Sequence, residues 1–133
     1  MKHLNIQATK VAAKLYAMLE HTDNTKIDNS PAFVPVHLEK RHHIPNYGQV
    51  FSVAHYFTQN GDLMSDPYME LIKADVDGQF YPILFEQHGA FPIYNEVLAY
   101  NDDGTVKGFR IKMQKDITIF ANQWFENINA QQF

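Results

Sequence analysis

The chain has 133 residues, 45% of them hydrophobic and 20% charged, which suits a single domain, residues 1–133, with one sizeable core. A net charge of -4 and a pI near 5.9 argue against electrostatic capture of nucleic acid and are too mild for a DNA mimic. The absence of cysteine removes disulfides, thiol nucleophiles and thiolate metal sites, and no apolar run approaches the roughly 18 residues of a membrane span.

The start, Met1-Lys2-His3, leads into no signal-peptide apolar block, so a cytoplasmic, soluble protein with no membrane partner is expected. Between Asn5 and Glu20, Ala8, Val11, Ala12, Leu15, Met18 and Leu19 recur at the spacing of one helical face, with Asn5 as N-cap. His21 to Ser30 is polar and aperiodic and reads as a loop. Phe33 to Lys40 predicts a strand that Pro35, having no N–H to donate, confines to a sheet edge. Lys40 to Gln49 reads as a turn.

Val50 to Phe57 alternates, with Phe51, Val53, His55 and Phe57 on the core face. A polar turn over Thr58 to Pro67 then leads to Tyr68–Ala74, with Met69 and Leu71 inward and Tyr68, Glu70 and Ile72 outward. Val76 to Gln79 is a tight turn around Gly78. Phe80 to Gln87 puts Tyr81, Ile83 and Phe85 on one face and Leu84 and Glu86 on the other. Ile93–Tyr100 and Val106–Met113 predict a hairpin joined by Asn101 to Thr105. Asp116 then caps a second helix carrying Ile117, Phe120, Ala121, Trp124, Phe125 and Ile128. The expected fold is α+β: an antiparallel meander of five to six strands with the N-terminal and C-terminal helices on one face.

Candidate catalytic residues are His55, Asp62, Asp66, Glu70 and Glu86. Histidine is the side chain that switches charge near neutrality, and His55 with Asp62 and Asp66 at one sheet end would offer imidazole and hard oxygen ligands to a divalent ion. The simpler reading makes His55 a hydrogen-bonded core residue and Asn60 to Asp66 a turn. Glu70 and Glu86 face outward on neighbouring strands, with Arg110 and Lys112 beside them, so acid–base work or Mg²⁺-assisted phosphodiester cleavage is the rival to plain cross-strand charge pairing. A restriction-type arrangement fails on register, because Ile72 stands where a Lys is needed. The adjacent pair His42-His43 is a poor chelate, and no phosphate loop, nucleophile elbow or zincin motif is present. No cofactor and no defined metal site are expected.

Tyr56, Tyr68 and Tyr94, with Arg110, are the candidate binding residues. If Tyr94 and Leu98 share the outer face with Leu84 and Ile72, that face is apolar enough to dock a protein partner or a second copy as a homodimer. A strip of Lys107, Arg110, Lys112 and Lys115 is the only local basis for a nucleic-acid-binding accessory.

The segments AHYFTQNGDLMSDPYMEL, YPILFEQHG, IYNEV and FANQWFENINAQQF resemble an uncharacterised family of small proteins of bacterial plasmids, phages and conjugative elements, over roughly residues 33 to 133. The resemblance implies a cytoplasmic accessory protein and supplies no activity. The leading expectation is therefore a non-catalytic protein-binding module, with a metal-dependent phosphoester hydrolase or nuclease as the alternative.

Overall fold

A computed structural model describes residues 1–133 and places helix α1 (Ile6–Ala17) and helix α2 (Ile111–Gln132) at the two ends of an all-antiparallel strand series. The main sheet runs in sequence order: β1 (Asn24–Ile27), β2 (Val36–Ile44), β3 (Gly48–Gln59), β4 (Asp62–Ala74), β5 (Phe80–Gln87) and β6 (Ile93–Glu96). A second, two-stranded sheet pairs β7 (Leu98–Tyr100) with β8 (Val106–Phe109). The fold is the expected α+β meander, with the small sheet added. No helix is long and apolar enough to cross a membrane.

Both helices cover one face of the main sheet. Helix α1 starts where the Asn5 side-chain oxygen accepts the Ala8 N–H at 2.8 Å, and it buries Ala8, Val11, Ala12 and Leu15. Register aligns Leu38, Val53, Met69 and Phe85 across β2 to β5 on that face, with Phe51 and Leu71 one pleat further along. The Tyr16 ring meets Phe51 edge-on at 5.1 Å, Phe120 meets Phe85 at 4.9 Å, and Trp124 meets His55 at 5.6 Å. Each fully buried apolar side chain of this set contributes about 1.5–3 kcal/mol.

Strand β3 is also buried on its far face over Val50, Ser52 and Ala54. Val50 pairs with Ile72, and both are shielded from solvent although no helix lies on that side. The small sheet supplies the cover: Leu98 joins the core, Val106 packs against it, and Phe109 meets the Tyr47 ring at 6.1 Å. At the start of β5, where β6 does not reach, the N-terminal segment closes the edge. The Leu4 N–H donates to Phe80, and the buried Gln114 amide holds both backbone groups of Lys2 and accompanies them with a bond to the Pro82 carbonyl.

Several sequence expectations are corrected. The polar turn over Thr58 to Pro67 does not exist. Asn60 and Gly61, at φ 53° and 85°, form a two-residue hairpin turn, and pairing continues from Gln59↔Asp62 to Tyr56↔Ser65. His21 to Ser30 holds β1, because its Asn24–Ile27 finds a partner in β2 that no local pattern announces. Strand β2 lies inside the sheet, with Pro35 just outside its start, and most of Lys40 to Gln49 is strand. Ile93–Tyr100 breaks at Val97, so its halves join different sheets and Leu98 does not share the face of Tyr94. A bulge at Ile83 pairs Leu71 with Pro82 and turns Tyr81 to the side of Ile72, away from Phe85. Helix α2 begins at Ile111 with Arg110 at its N-cap, so Asp116 is inside the helix and Lys112 is not on a strand.

Gly48 has φ 153°, and a Cβ there would collide with the Lys73 carbonyl oxygen. Gly48→Ala is expected to cost about 1–3 kcal/mol in urea unfolding. Gly108→Ala in β8, with open space around it, should leave the midpoint unchanged or slightly raised. Equal effects would contradict this packing.

Candidate functional site

The half of the far face that the small sheet leaves open is built by register. One row runs Asn24, Glu39, Ser52, Glu70, Leu84 and Glu96 across β1 to β6, and the next runs Lys26, His37, Ala54, Tyr68, Glu86 and Tyr94. Large side chains stand on β4 to β6 and on β1 to β2, while Ser52 and Ala54 on the middle strand are small. Both are buried beneath the longer side chains beside them, and the face as a whole spans about 20–25 Å across its six strands. Because β3 offers no bulk, Arg41 reaches from β2 to put its guanidinium 5.6 Å from the Tyr68 ring centroid, with Glu39 at 3.3 Å.

The carboxylates are tethered from their own neighbourhood. Tyr68 donates its hydroxyl to Glu70 at 2.6 Å, and Tyr94 donates to Glu96 at 3.4 Å. His88 Nδ1 accepts the Ser65 N–H at 2.9 Å, which leaves Nε2 to carry the proton and donate to Glu86 at 2.8 Å. Burial pushes the Tyr68 phenol well above its usual range and the Glu70 carboxylate pushes it further. Tyr94 and Tyr100 are raised by burial and then by Glu96, with Glu70 acting on both. Tyr56 is raised chiefly by burial. For Arg41, burial works against the charge, and Tyr68, Glu39 and Glu70 outweigh it. At the other end, burial followed by Lys26 and His55 holds the His37 imidazole below its ordinary value. Its ring packs edge-on to Tyr56 at 5.0 Å beside a cleft of about 300 Å³.

The candidate catalytic residues do not converge. His55 lies on the helix face, its Nδ1 donating to the Pro35 carbonyl at 3.0 Å and its ring against Trp124. Glu70 and Glu86 lie on the opposite face, diagonal to one another across β4 and β5. Asp62 sits beside the hairpin turn and Asp66 further along the same strand, both exposed. No three His, Asp or Glu side chains come together as a metal-holding group. The binding candidates fare differently: Tyr56, Tyr68 and Tyr94 share the far face, and Arg110 lies at its border, donating to the Glu96 carbonyl at 2.9 Å. Ile72 and Leu84, expected to make that face apolar, are buried within the chain. His43 pairs with Asp75 at the sheet's end, and Lys107, Arg110, Lys112 and Lys115 fall at the β8–α2 junction, where Lys112 pairs with Asp116.

Sequence reasoning missed Glu39, Arg41, His88 and Glu96. The signal for the first two was present, since His37, Glu39 and Arg41 alternate, but it was hidden by reading the strand's second half as a turn. For His88, whose partners are Ser65 and Glu86, no local signal exists.

A family model described as a domain of unknown function (DUF6908) matches residues 6–133. The match takes in helix α1 and its following loop, which the resemblance seen in the sequence left out. No curated protein and no solved structure matches the chain.

The tyrosines make this account measurable. Tyr81 is pushed up to about 12 by burial and by the Asp77 carboxylate. A phenol raised in the folded state contributes stability that is complete below the ordinary value near 10 and lost as pH climbs through the folded value. Unfolding free energy is therefore expected to decline between about pH 10 and 12, with a late step in tyrosinate absorbance. Glu70→Gln should move part of that late absorbance to lower pH. A single tyrosine transition near 10, unchanged by the substitution, would contradict the Tyr68–Glu70 bond.

Proposed function

The chain belongs to the DUF6908 family, and from that premise we propose that it is a non-catalytic protein-binding module whose far sheet face docks a lysine- or arginine-rich segment of a partner. One observation carries the reading. Glu70, Glu86 and Glu96 alternate with Tyr68 and Tyr94 on the unpartnered half of that face, with Tyr100 of the small sheet near enough to feel Glu96 and Glu70, and with Arg41 a cation among them. Carboxylates beside aromatic rings suit an extended cationic chain, because the charges steer and pair its head groups while the ring faces take the flat guanidinium or the lysine stem.

The carboxylates of Glu70, Glu86 and Glu96 stand on the successive strands β4, β5 and β6, so such a chain would lie across those strands. The same charge pattern disfavours the other occupants weighed from the sequence. Nucleic acid would bring phosphates against the glutamates, and a second copy docked with its glutamate strands on these would set like charges against like. The metal-dependent hydrolase has no geometric support, since His55 and the two glutamates stand on opposite faces. The resemblance of roughly residues 33 to 133 to proteins of plasmids, phages and conjugative elements supports placing the module as a cytoplasmic accessory of such elements.

Fluorescence anisotropy with a labelled Gly-Lys/Gly-Arg repeat peptide, and its Glu-substituted counterpart, tests the reading. The basic peptide should bind and the acidic one should not, with affinity falling steeply as ionic strength rises from about 0.1 M to about 1 M. Glu70→Gln combined with Glu96→Gln should weaken binding about tenfold while leaving circular dichroism unchanged. Indifference to peptide charge, or full affinity in the double variant, would overturn it.

A further inference from the structure

On the opposite face lies a second feature, independent of the far-face reading. A cleft of about 570 Å³ opens between the C-terminal half of α1 and the sheet. Its wall is aromatic: Tyr16 packs on Phe80 at 6.0 Å, and Phe51 closes the cluster behind them. Two ammonium groups line it. Lys40 pairs in register with Phe51, and Lys73 with Phe80, so both stems rise from the helix-facing side of the sheet beside the rings.

Neither lysine takes part in an ion pair or a side-chain hydrogen bond, whereas Arg41 and Lys112 each have a carboxylate. The Lys73 ammonium stands 5.6 Å from the Tyr16 ring centroid. Burial, and then Asp75, raise the Tyr16 phenol, so it keeps its proton and remains a donor. Glu20 also lines the cleft and is exposed, and Asp75 pairs with His43 at 2.9 Å. An aromatic wall with two lysines outside any ion pair, one exposed carboxylate, Glu20, in the same lining, and a phenol donor is the chemistry of a small-molecule site with a fixed polar end.

The geometry points to a binding site for an amphipathic organic anion, a planar apolar body bearing a carboxylate or phosphate monoester, with the body against Tyr16 and Phe80 and the head group between Lys40 and Lys73. The two lysines give charge-assisted hydrogen bonds that a neutral head group cannot replace. The small Ala13 and Ala17 on the helix side leave the room that the body occupies.

Calorimetric titration of the whole chain with 2-naphthoate, 2-naphthyl phosphate, neutral 2-naphthamide and inorganic phosphate tests the site. At least one aryl anion is expected to bind with a Kd below about 1 mM, and the one that binds more tightly identifies the head group. The amide and inorganic phosphate should each be at least about tenfold weaker. Lys40→Met and Lys73→Met should each lose about tenfold, and Ala13→Trp should abolish binding by filling the cleft with both lysines intact. Binding by neither aryl anion, equal binding of the amide, or full affinity in the lysine variants would overturn the site.

Discussion

The pairing register of β3 with β4 is the constraint on which the rest of the molecule depends. These are the longest strands of the sheet, and β3 is buried on both faces through Val50 to Ala54. A slip of one residue would carry Phe51 and Val53 to the far face and bring Ser52 and Ala54 under the helices. Three local devices oppose it. Asn60-Gly61 supplies the positive φ values of a two-residue turn, a bulge sets Asp66 and Pro67 of β4 opposite the single residue His55 of β3, and Gly48 lets the strand pass against the Lys73 backbone.

That register divides the chain's chemistry between two faces. Odd positions of β3 meet α1 and α2 and make the core; even positions make a floor so low that Arg41 can cross it to Tyr68. The tyrosine and glutamate rows on β4 to β6 come from the same alternation. The small sheet completes the division by covering Val50 and Ile72 with Leu98, Val106 and Phe109, so the apolar part of the far face is used internally and the polar part stays open. The lysine-lined cleft belongs to the other face, where Lys40 and Lys73 flank the aromatic cluster of Phe51, Tyr16 and Phe80. His55 shows how far face assignment decides function: one pleat away from Tyr56, it is held by Pro35 and Trp124 and is out of reach of Glu70 and Glu86.

Elements whose partners lie within their own pattern were legible in the sequence. Helix α1 followed from Ala8, Val11, Ala12 and Leu15 with the Asn5 cap, the burial of Phe51 and Val53 on β3 and of Met69 and Leu71 on β4 from alternation, though Phe57 of the same inward set stays half-exposed, the Gly78 turn from its glycine, and the burial of Trp124 from helical spacing. Elements that depend on distant partners were not. Asn24–Ile27 is polar and becomes a strand only against Val36–Glu39. The start of α2 carries no side-chain cap, and Val106 to Met113 alternates as a strand would until Val97, far back in the chain, accepts the Arg110 N–H. The site was half visible. Tyr56, Tyr68, Tyr94, Glu70 and Glu86 could be placed on one face by counting, but Glu96 and Arg41 needed the Val97 break and the full length of β2, which are tertiary facts.

The far-face reading is tested most directly by backbone amide chemical-shift mapping with a Lys/Arg-rich peptide. The account predicts shifts clustered on Tyr68, Glu70, Glu86, Tyr94 and Glu96, extending over Ser52 and Ala54, with the helix face unmoved. Shifts confined to α1 and α2, or scattered over the surface without the glutamate strands, would contradict it.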